Sequence, residues 1–245
     1  MKNILAIVQA RMGSSRLPGK SIKTIGNNTL IEKVIKRLQL SKKINNIALA
    51  VPNTEKDKIL ADIAKNNNIQ VYMGSENNVL DRYYQTALQF KGDVILRITG
   101  DCPLIDAGLI DELLEIYLAS DYDYVSNHVE QEFPRGFDCE IFSFEVLKQM
   151  HDNAKEDYEK EHVTPYIYLN PDKFTIFHKK ANKDFYRPDY RICVDTKEDF
   201  ELICKIYKTF NDRIDISASE IIKLLDEHPE LTAINKHIEQ KKLKE

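Results

Sequence analysis

Hydrophobic and polar positions divide the first half of the chain into short apolar runs that alternate with amphipathic stretches. The apolar runs are rich in β-branched residues and predict strands at Ile4–Val8, Ile47–Val51, Ile69–Tyr72 and Val94–Ile98. The stretches between them have helical spacing and predict helices over about 29–41, 55–66, 78–90 and 107–119. This alternation is typical of a mostly parallel sheet flanked by helices. Right-handed crossovers bring the carboxyl ends of such strands to one edge, so the loops that follow strands are the candidate ligand sites.

After residue 120 the alternation is less regular, and we expect a smaller antiparallel extension that carries a second substrate. A loop is expected at Val129–Cys139 and a helix over about 156–168. Strands are expected at Tyr122–Ser126, Glu140–Phe144, Phe174–His178 and Tyr190–Val194. Thr196 and Asp199 form a capping-box pattern that begins a helix ending near Phe210. The last thirty residues are expected to be helical, with a charged end at Glu239–Glu245 that frays.

The length of 245 residues suits a single α/β domain over residues 1–245. Within it we expect a nucleotide-binding half over about 1–120, an acceptor-binding half over about 121–210 and C-terminal helices over 211–245. The net charge of −4 excludes the basic field that drives non-specific binding to nucleic acid. No segment has the pattern of a signal peptide or a membrane span, and the four scattered cysteines show no metal or disulfide spacing. We therefore expect a soluble, cytoplasmic protein.

The segment QARMGSSRLPGK follows the first predicted strand and combines cations, glycines and serines. A turn of this kind directs several backbone N–H groups at one point, and Arg11, Arg16 and Lys20 add charge-assisted contacts to phosphate oxygens. Its spacing matches neither GxxxxGK[ST] nor GxGxxG, so the P-loop and dinucleotide fingerprints do not apply. The segment is a candidate polyphosphate cradle, with a solvated basic loop as the alternative.

Two aspartates follow apolar runs and are candidate ligands for Mg²⁺. Asp101 ends the run VILRITGD, and Asp195 ends the run YRICVD just before a predicted helix. Mg²⁺ takes one or two protein carboxylates and completes its shell with phosphate oxygens and water. The alternatives are a turn-forming Asp101, bonded to its own backbone, and an Asp195 that only favours the helix dipole.

Four segments, in this order and at these intervals, resemble the cytidylyltransferases that make CMP-activated sugar acids: QARMGSSRLPGK, TGDCP, EHVTPY and VDTKEDF. Within that superfamily the sequence is similar to the branch named for spore-coat polysaccharide synthesis, over about residues 1–210. The resemblance implies a nucleotide-diphospho-sugar-transferase-like, Rossmann-like fold, with CTP as donor and Mg²⁺ as cofactor. It implies that an acceptor oxygen attacks the α-phosphorus with release of pyrophosphate, in surface polysaccharide or glycoconjugate biosynthesis. It also implies a homodimer.

The same resemblance assigns roles to individual residues. Arg11 and Lys20 match triphosphate contacts, and Asp101 and Asp195 match metal ligands, so these four are the expected catalytic residues. The expected nucleotide-binding residues are Ala10, Arg11, Gly13, Ser14, Arg16, Lys20, Asp81, Arg82, Thr99 and Asp101. Asp81 and Arg82 are adjacent on a helix and point in different directions, so a solvated helix start is the alternative for this pair.

The second half supplies the candidate acceptor-binding residues, which are Arg135, Asp138, Glu140, Glu161, His162 and Arg191. Arg135 can grip a carboxylate or phosphate through two hydrogen bonds, and carboxylates can bind hydroxyl or amino groups. A structural turn at Pro134–Gly136, a structural His162 and a solvent-facing Arg191 are the alternatives.

The acceptor expected from this pattern is a small acidic sugar or a phosphorylated molecule. The segment PRGFDCEIF departs from the acceptor segment of the sugar-acid enzymes, which leaves a phosphonate or sugar-phosphate acceptor, or another nucleotide, as a second interpretation. A non-catalytic nucleotide-binding module is a third.

Overall fold

The computed structural model describes residues 2–240, so residues 241–245 of the expected frayed end lie outside the described part. The strands, in chain order, are β1 (Ile4–Gln9), β2 (Thr24–Ile25), β3 (Asn28–Thr29), β4 (Asn46–Pro52), β5 (Gln70–Gly74), β6 (Val94–Thr99), β7 (Tyr124–Ser126), β8 (Glu140–Ser143) and β9 (Ile176–His178). The α-helices are α1 (Leu30–Leu38), α2 (Lys58–Asn66), α3 (Val79–Gln89), α4 (Ala107–Leu118), α5 (Phe144–Asn153), α6 (Asp157–His162), α7 (Pro165–Tyr168), α8 (Lys197–Thr209), α9 (Ala218–Glu227) and α10 (Pro229–Thr232).

The central sheet has the strand order β5-β4-β1-β6-β8-β7-β9, so both halves of the sequence contribute to one sheet. The four strands that the first half contributes to this sheet, β1, β4, β5 and β6, are parallel to one another, as the alternating pattern predicts. Strand β8 runs antiparallel to both of its neighbours, β6 and β7, and provides the expected antiparallel extension. Because β8 is reversed, its first residue, Glu140, lies beside the carboxyl-terminal part of β6.

Side chains alternate between the two faces of this sheet and build two hydrophobic clusters. On one face Ala6, Leu96 and Ile141 pack among residues of α1, α4, α8 and α9. On the other face Leu5 and Ile95 pack beneath α3, α5 and the α6–α7 segment. The apolar stripe of α9, which includes Ile221, Ile222 and Leu225, is buried in the first cluster.

The second half differs from expectation in three places. The expected helix over about 156–168 is two short helices, because Val163 between them has a φ of +71°. A helix that the pattern did not predict, α5, follows β8 directly and is capped by Ser143, whose Oγ accepts from the backbone N–H of Val146 at 3.1 Å. The segment 190–194 is not a strand, since it makes only an isolated bridge between Arg135 and Arg191 within residues 2–240.

Candidate active site

The loop that follows β1 is tied down by hydrogen bonds on both sides. The backbone N–H of Met12 donates to Asp57 Oδ1 at 2.7 Å, and Ser21 Oγ donates to the carbonyl of Arg11 at 3.3 Å. Gly19 has a φ of +67°, and its N–H closes the loop on the carbonyl of Met12 at 3.1 Å. The left-handed conformation favours glycine here, and it turns the chain so that Lys20 follows at the start of a short 3₁₀ helix, Lys20–Ile22.

Lys20 brings the loop together with both of the strand-end aspartates. Its Nζ lies 3.0 Å from Asp101 Oδ2 and 2.8 Å from Asp195 Oδ1, and it also donates to the carbonyl of Val194 at 2.6 Å. The ammonium is largely buried, with 12% of the side chain exposed. Lys20, Asp101 and Asp195 are therefore neighbours in space, as the sequence analysis predicts.

The charges of these three groups stabilise one another. Burial alone favours neutral Lys20, but the Asp101 and Asp195 carboxylates outweigh it and hold the pKa of this lysine above its usual range. Burial likewise favours a protonated Asp101, yet the Lys20 ammonium and a hydrogen bond from Thr99 keep the pKa of Asp101 below its usual value. Lys20 and Asp101 are therefore ionised at neutral pH, and the Asp101 carboxylate can bind a cation.

Arg16 and Arg191 hold Asp195 from two further directions. Arg16 Nη2 lies 2.8 Å and Arg191 Nη2 lies 2.7 Å from Asp195 Oδ2. Arg191 is itself fixed by Asp199, which accepts from its Nε at 2.9 Å, and by Gln240, which accepts from its Nη1 at 2.7 Å. With 8% of its side chain exposed, Arg191 positions the aspartate in this structure.

The turn after β6 places Asp101 by close packing against β1. A Cβ on Gly100 would lie 2.6 Å from the carbonyl oxygen of Gln9, so only glycine fits beside that strand. The N–H of Gly100 donates to the same oxygen at 2.8 Å, and the N–H of Val194 donates to the carbonyl of Asp101 at 2.8 Å. Gly100 is therefore required for the approach of one strand to another.

The remaining loop residues surround this centre. Ala10 is buried, and Ser14 Oγ accepts from the N–H of Leu17 at 3.4 Å. A Cβ on Gly13 would lie 3.3 Å from Lys56 Nζ, which places a further cation beside the loop. Arg11 reaches the second half of the chain, where its Nη2 lies 3.9 Å from Glu161 Oε1 with both side chains about half exposed.

Asp81 and Arg82, which are expected to bind the nucleotide, make separate contacts in the structure. Asp81 Oδ1 lies 3.1 Å from His151 Nε2 of α5, so this carboxylate is turned toward α5 and is not with Lys20. Arg82 is buried, and its Nη1 donates to the carbonyl of Ser75 at 2.6 Å. Burial lowers the pKa of Arg82, and the charge of Arg11 lowers it further.

Glu140, an expected acceptor-binding residue, is enclosed in a network of polar side chains. Its Oε1 accepts from Tyr124 at 2.5 Å and from Thr164 at 2.6 Å, and its Oε2 forms an ion pair with Arg97. Only 2% of the Glu140 side chain is exposed. The Arg97 guanidinium outweighs the effect of burial and keeps the pKa of Glu140 below its usual value.

The segment before β8 is held by a glycine turn. Arg135 forms a backbone ladder with the 190–192 segment, donating to Tyr190 and accepting from Ile192. Gly136 has a φ of +119°, and a Cβ there would lie 2.8 Å from the carbonyl carbon of Ile192. The structural turn that the sequence left open at 134–136 is therefore present.

Asp138 and His162 are further expected acceptor-binding residues of this half. Asp138 Oδ2 accepts from the N–H of Gly136 at 3.1 Å, and Asp138 Oδ1 lies 3.7 Å from His128 Nδ1. His162 ends α6 and is partly buried. Burial lowers the pKa of His162, with a further contribution from the nearby Arg97 charge.

The sequence profile of the cytidylyltransferase family matches residues 5–230. The chain belongs to the cytidylyltransferase family. This cytidylyltransferase is 37% identical, over 237 residues, to the spore coat polysaccharide biosynthesis protein SpsF of Bacillus subtilis, and the alignment covers 94% of this chain and 97% of SpsF. It superposes on a cytidylyltransferase from Leptospira borgpetersenii with a TM-score of 0.91 and 30% identity, covering 99% of this chain and 100% of the other.

A more distant structure has the same fold. It is the CMP:2-keto-3-deoxy-manno-octonic acid synthetase complexed with CTP, with a TM-score of 0.64, 15% identity and coverage of 85% of this chain and 100% of that one. The α/β, Rossmann-like nucleotidyltransferase fold is thus confirmed, and the protein is a CTP-dependent nucleotidyltransferase. Among the helices of residues 2–240, none has the length and apolar character needed to span a bilayer.

Residues that sequence reasoning missed are Gln9, Arg97, His128 and Asp199. A charged residue inside the apolar run VILRIT is a signal for Arg97, but its partner Glu140 becomes apparent only once β8 pairs with β6. Asp199 was predicted only as part of a cap. It does cap α8, and the same carboxylate also binds Arg191.

Proposed function

We propose that this cytidylyltransferase transfers CMP from CTP to a small acidic or phosphorylated acceptor, with Mg²⁺ held by Asp101 and Asp195. The observation that supports this proposal is that both carboxylates lie within 3.0 Å of one ammonium nitrogen, that of Lys20. Two carboxylates that converge on one cationic atom fit a hard divalent cation.

The two carboxylates also fit a metal site whose remaining ligands come from the substrate. Within residues 2–240 no group of three or more His, Cys, Asp or Glu side chains is arranged to hold a metal. Two carboxylates are the number that Mg²⁺ commonly takes from a protein when nucleotide phosphates supply the other oxygens. When bound, Mg²⁺ neutralises charge on the phosphates and on the departing pyrophosphate.

The chain's own cations would serve the same transfer. Lys20, Arg11 and Arg16 line the loop after β1 and bind triphosphate oxygens by charge-assisted hydrogen bonds. In the reaction an acceptor oxygen forms a bond to the α-phosphorus, and the bond from that phosphorus to the oxygen bridging to the β-phosphorus breaks. Pyrophosphate leaves with the electron pair, and a hydroxyl acceptor gives its proton to water. Positioning and charge neutralisation carry most of such a step.

The names of the relatives support the choice of acceptor and of biosynthetic process. SpsF is named for spore coat polysaccharide biosynthesis, and other relatives are named 3-deoxy-manno-octulosonate cytidylyltransferases. An acidic sugar acceptor in surface polysaccharide or glycoconjugate synthesis is therefore the first choice, and a homodimer remains part of the proposal.

The experiment is a thermal-unfolding series with CTP, UTP, ATP and GTP, each with and without Mg²⁺, followed by pyrophosphate release with a panel of sugar acids, sugar phosphates and phosphonates. We expect a CTP-selective, Mg²⁺-dependent shift, because a ligand that binds only the folded state raises its stability. Selectivity for another nucleotide would contradict the donor assignment. Binding of CTP without pyrophosphate release on any acceptor would favour a non-catalytic module.

A further inference from the structure

A second polar cluster lies on the sheet face that packs against α3 and α5–α7, apart from the Lys20 centre. Buried apolar residues of this face, such as Ile7, Ile95 and Phe142, precede or follow polar residues by two positions along each strand. Those polar residues are Gln9, Arg97 and Glu140, and they lie where β1, β6 and β8 adjoin. The apolar face thus becomes polar toward its catalytic edge.

Four buried side-chain atoms of this region have no hydrogen-bond partner within residues 2–240: Gln9 Oε1, Arg97 Nε, His128 Nδ1 and Asp138 Oδ1. Buried polar atoms are normally paired with a protein group or with water, so each of these atoms has a hydrogen bond to offer to a ligand. Arg97 is the clearest case because 10% of its side chain is exposed and its other contact, to Glu140, is already an ion pair. We call Gln9, Arg97, His128 and Asp138 the inner polar cluster.

The members of the inner polar cluster are held close together by the fold. Gln9 pairs with Thr99 in the parallel register, and Arg97 is two residues before Thr99 on the same face. Asn127 fixes the other side, because it donates to the carbonyl of Phe137 and accepts from the N–H of Cys139, both at 2.9 Å. His128 Nδ1 and Asp138 Oδ1 then face each other at 3.7 Å, which is too long for a direct hydrogen bond.

The segment that joins α6 to α7 packs on the same face as the cluster and has an unfavourable backbone conformation. Val163 is a β-branched residue with a φ of +71°, and it separates α6 from α7. Such conformations are unfavourable and concentrate at binding sites. The break lets Thr164 Oγ1 reach Glu140 and brings His162 near Arg97.

The charges of this region indicate the chemistry of the ligand. Arg97 is matched by Glu140, and His128 is matched by Asp138, so the region has no excess of positive charge to offer an anion. The side-chain atoms without a hydrogen bond or an ion pair of their own instead comprise a donor, Arg97 Nε, and an acceptor, Gln9 Oε1. A hydroxyl both donates and accepts, and neighbouring hydroxyls of a sugar complement such a set.

We propose that the inner polar cluster binds the neutral, polyhydroxylated part of the acceptor and sets which hydroxyl pattern the enzyme accepts. This inference rests on the proposed function, because it takes the acceptor to be a sugar derivative. The acidic group of the acceptor then lies toward the cationic loop after β1, where Arg11 is about half exposed.

The test uses the full chain with Gln9→Leu and Arg97→Lys. The first removes the unpaired amide oxygen, and the second keeps a cation for Glu140 but removes the Nε–H donor. Each should raise KM for the acceptor about tenfold, the effect of losing one hydrogen bond to a charged or buried group. KM for CTP and the CTP–Mg²⁺ thermal shift should stay within about twofold, since neither group contacts the Lys20 centre. Gln70→Leu is the matched control because Gln70 Oε1 is also buried without a partner but lies on β5, at the far edge of the sheet.

The probe is the sugar acid of the panel that gives the fastest pyrophosphate release, together with analogues that have a hydroxyl replaced by hydrogen. The analogues should lose affinity for the natural chain and little for Gln9→Leu or Arg97→Lys. Turnover with unchanged acceptor KM in both variants would overturn the inference while leaving the proposed function intact. If no panel compound stabilises the protein beyond CTP–Mg²⁺ or releases pyrophosphate, the inference is overturned together with the choice of acceptor, whereas the nucleotide shift still reports on the donor site.

Discussion

Lys20 Nζ lies 2.8 Å from Asp195 Oδ1, although 175 positions separate the two residues along the chain. The same nitrogen contacts Asp101, so the protein's own ammonium lies between the two carboxylates that we propose as magnesium ligands. The enzyme therefore places a cation of its own where both carboxylates converge. Binding of a magnesium nucleotide then requires the ammonium to exchange carboxylate contacts for phosphate contacts.

Replacing Asp101 tests the metal assignment. Asp101→Asn keeps the shape of the side chain but removes the charge, so CTP–Mg²⁺ stabilisation should largely disappear and turnover should fall by about 100-fold or more. Thermal unfolding with and without ligand and initial rates of pyrophosphate release measure the two effects. Asp62→Asn, an exposed carboxylate on α2 that is paired with Lys65, is the control and should behave as the natural chain. An Asp101→Asn enzyme with normal turnover would show that Asp101 is not a metal ligand.

Replacing Lys20 tests the exchange of cations. In Lys20→Met, Asp101 loses its ion pair while Asp195 keeps Arg16 and Arg191, so the folded state should lose about 3 kcal/mol at neutral pH. Millimolar Mg²⁺ without nucleotide should restore much of that loss, whereas it should have little effect on the natural chain. Thermal unfolding in Mg²⁺ and in a chelator measures this, with exposed Lys65→Met as control. Equal responses of the natural chain and Lys20→Met to Mg²⁺ would contradict the arrangement.

The histidines of the acceptor half should affect stability with opposite signs as pH changes. Burial lowers the pKa of His128, but Asp138 and Glu140 outweigh it, and the net pKa lies above the ordinary value despite Arg97. His178, on β9, is a further titrating neighbour of His128. The stabilisation from protonated His128 is therefore complete below its unfolded pKa of about 6.5 and lost as pH rises through the raised value.

The measurement compares unfolding free energies of the natural chain, His128→Gln and His162→Gln between about pH 5 and about pH 9. The advantage of the natural chain over His128→Gln should shrink as pH rises. The pKa of His162 is lowered, so its folded state binds the proton less tightly than the unfolded chain. The natural chain should therefore lose stability relative to His162→Gln as pH falls below about 6.5. Parallel curves for all three proteins would contradict both signs.

Replacing Gly136 tests how the 190–194 segment is positioned. A Cβ at this residue would lie 2.8 Å from backbone of Ile192 and 2.9 Å from that of Cys193, and its φ of +119° is unfavourable for alanine. Gly136→Ala should cost at least about 2 kcal/mol of stability and weaken the CTP–Mg²⁺ shift, since Asp195 follows this segment directly. The control is Gly108→Ala, in the first turn of α4, where the φ is not positive and the nearest atom to a Cβ is Asp106 Oδ1 at 3.1 Å, so alanine should cost less there. Similar unfolding and ligand shifts for both variants would refute the role of Gly136.

The first half of the fold could be read from the sequence because its strands and helices differ in period, and the candidate residues follow strand ends. Helix α1 and strand β6 lie close to where the pattern predicts them, and Lys20, Asp101 and Asp195 meet as expected. The second half depends on long-range contacts. The apolar alternation at 190–194 resembles a strand, but this segment instead makes a single bridge to Arg135 and fixes Asp195.

The sequence of the second half also contains local signals that are too weak to predict its structure by themselves. Pro165 favours the first turn of a new helix, which indicates the break near Val163, yet the positive φ at Val163 depends on burial in the second cluster. Arg97 and Glu140 are 43 residues apart, and their pairing follows from the reversal of β8. No periodicity within either segment contains that information.

The hydrogen bonds of Asn127 to the 137–139 backbone close the chain between β7 and β8 into a loop with a fixed base. Within this loop Phe133 is buried and the 135–136 turn is bonded to the 190–192 segment, whereas Val129 and Glu130 are exposed, so the chain near 129–130 can change without shifting the strands on either side. Descendants of one ancestral enzyme can then acquire different acceptors while the donor chemistry stays the same. Comparison of such enzymes should show length changes confined between the anchors and an amide side chain retained at the base.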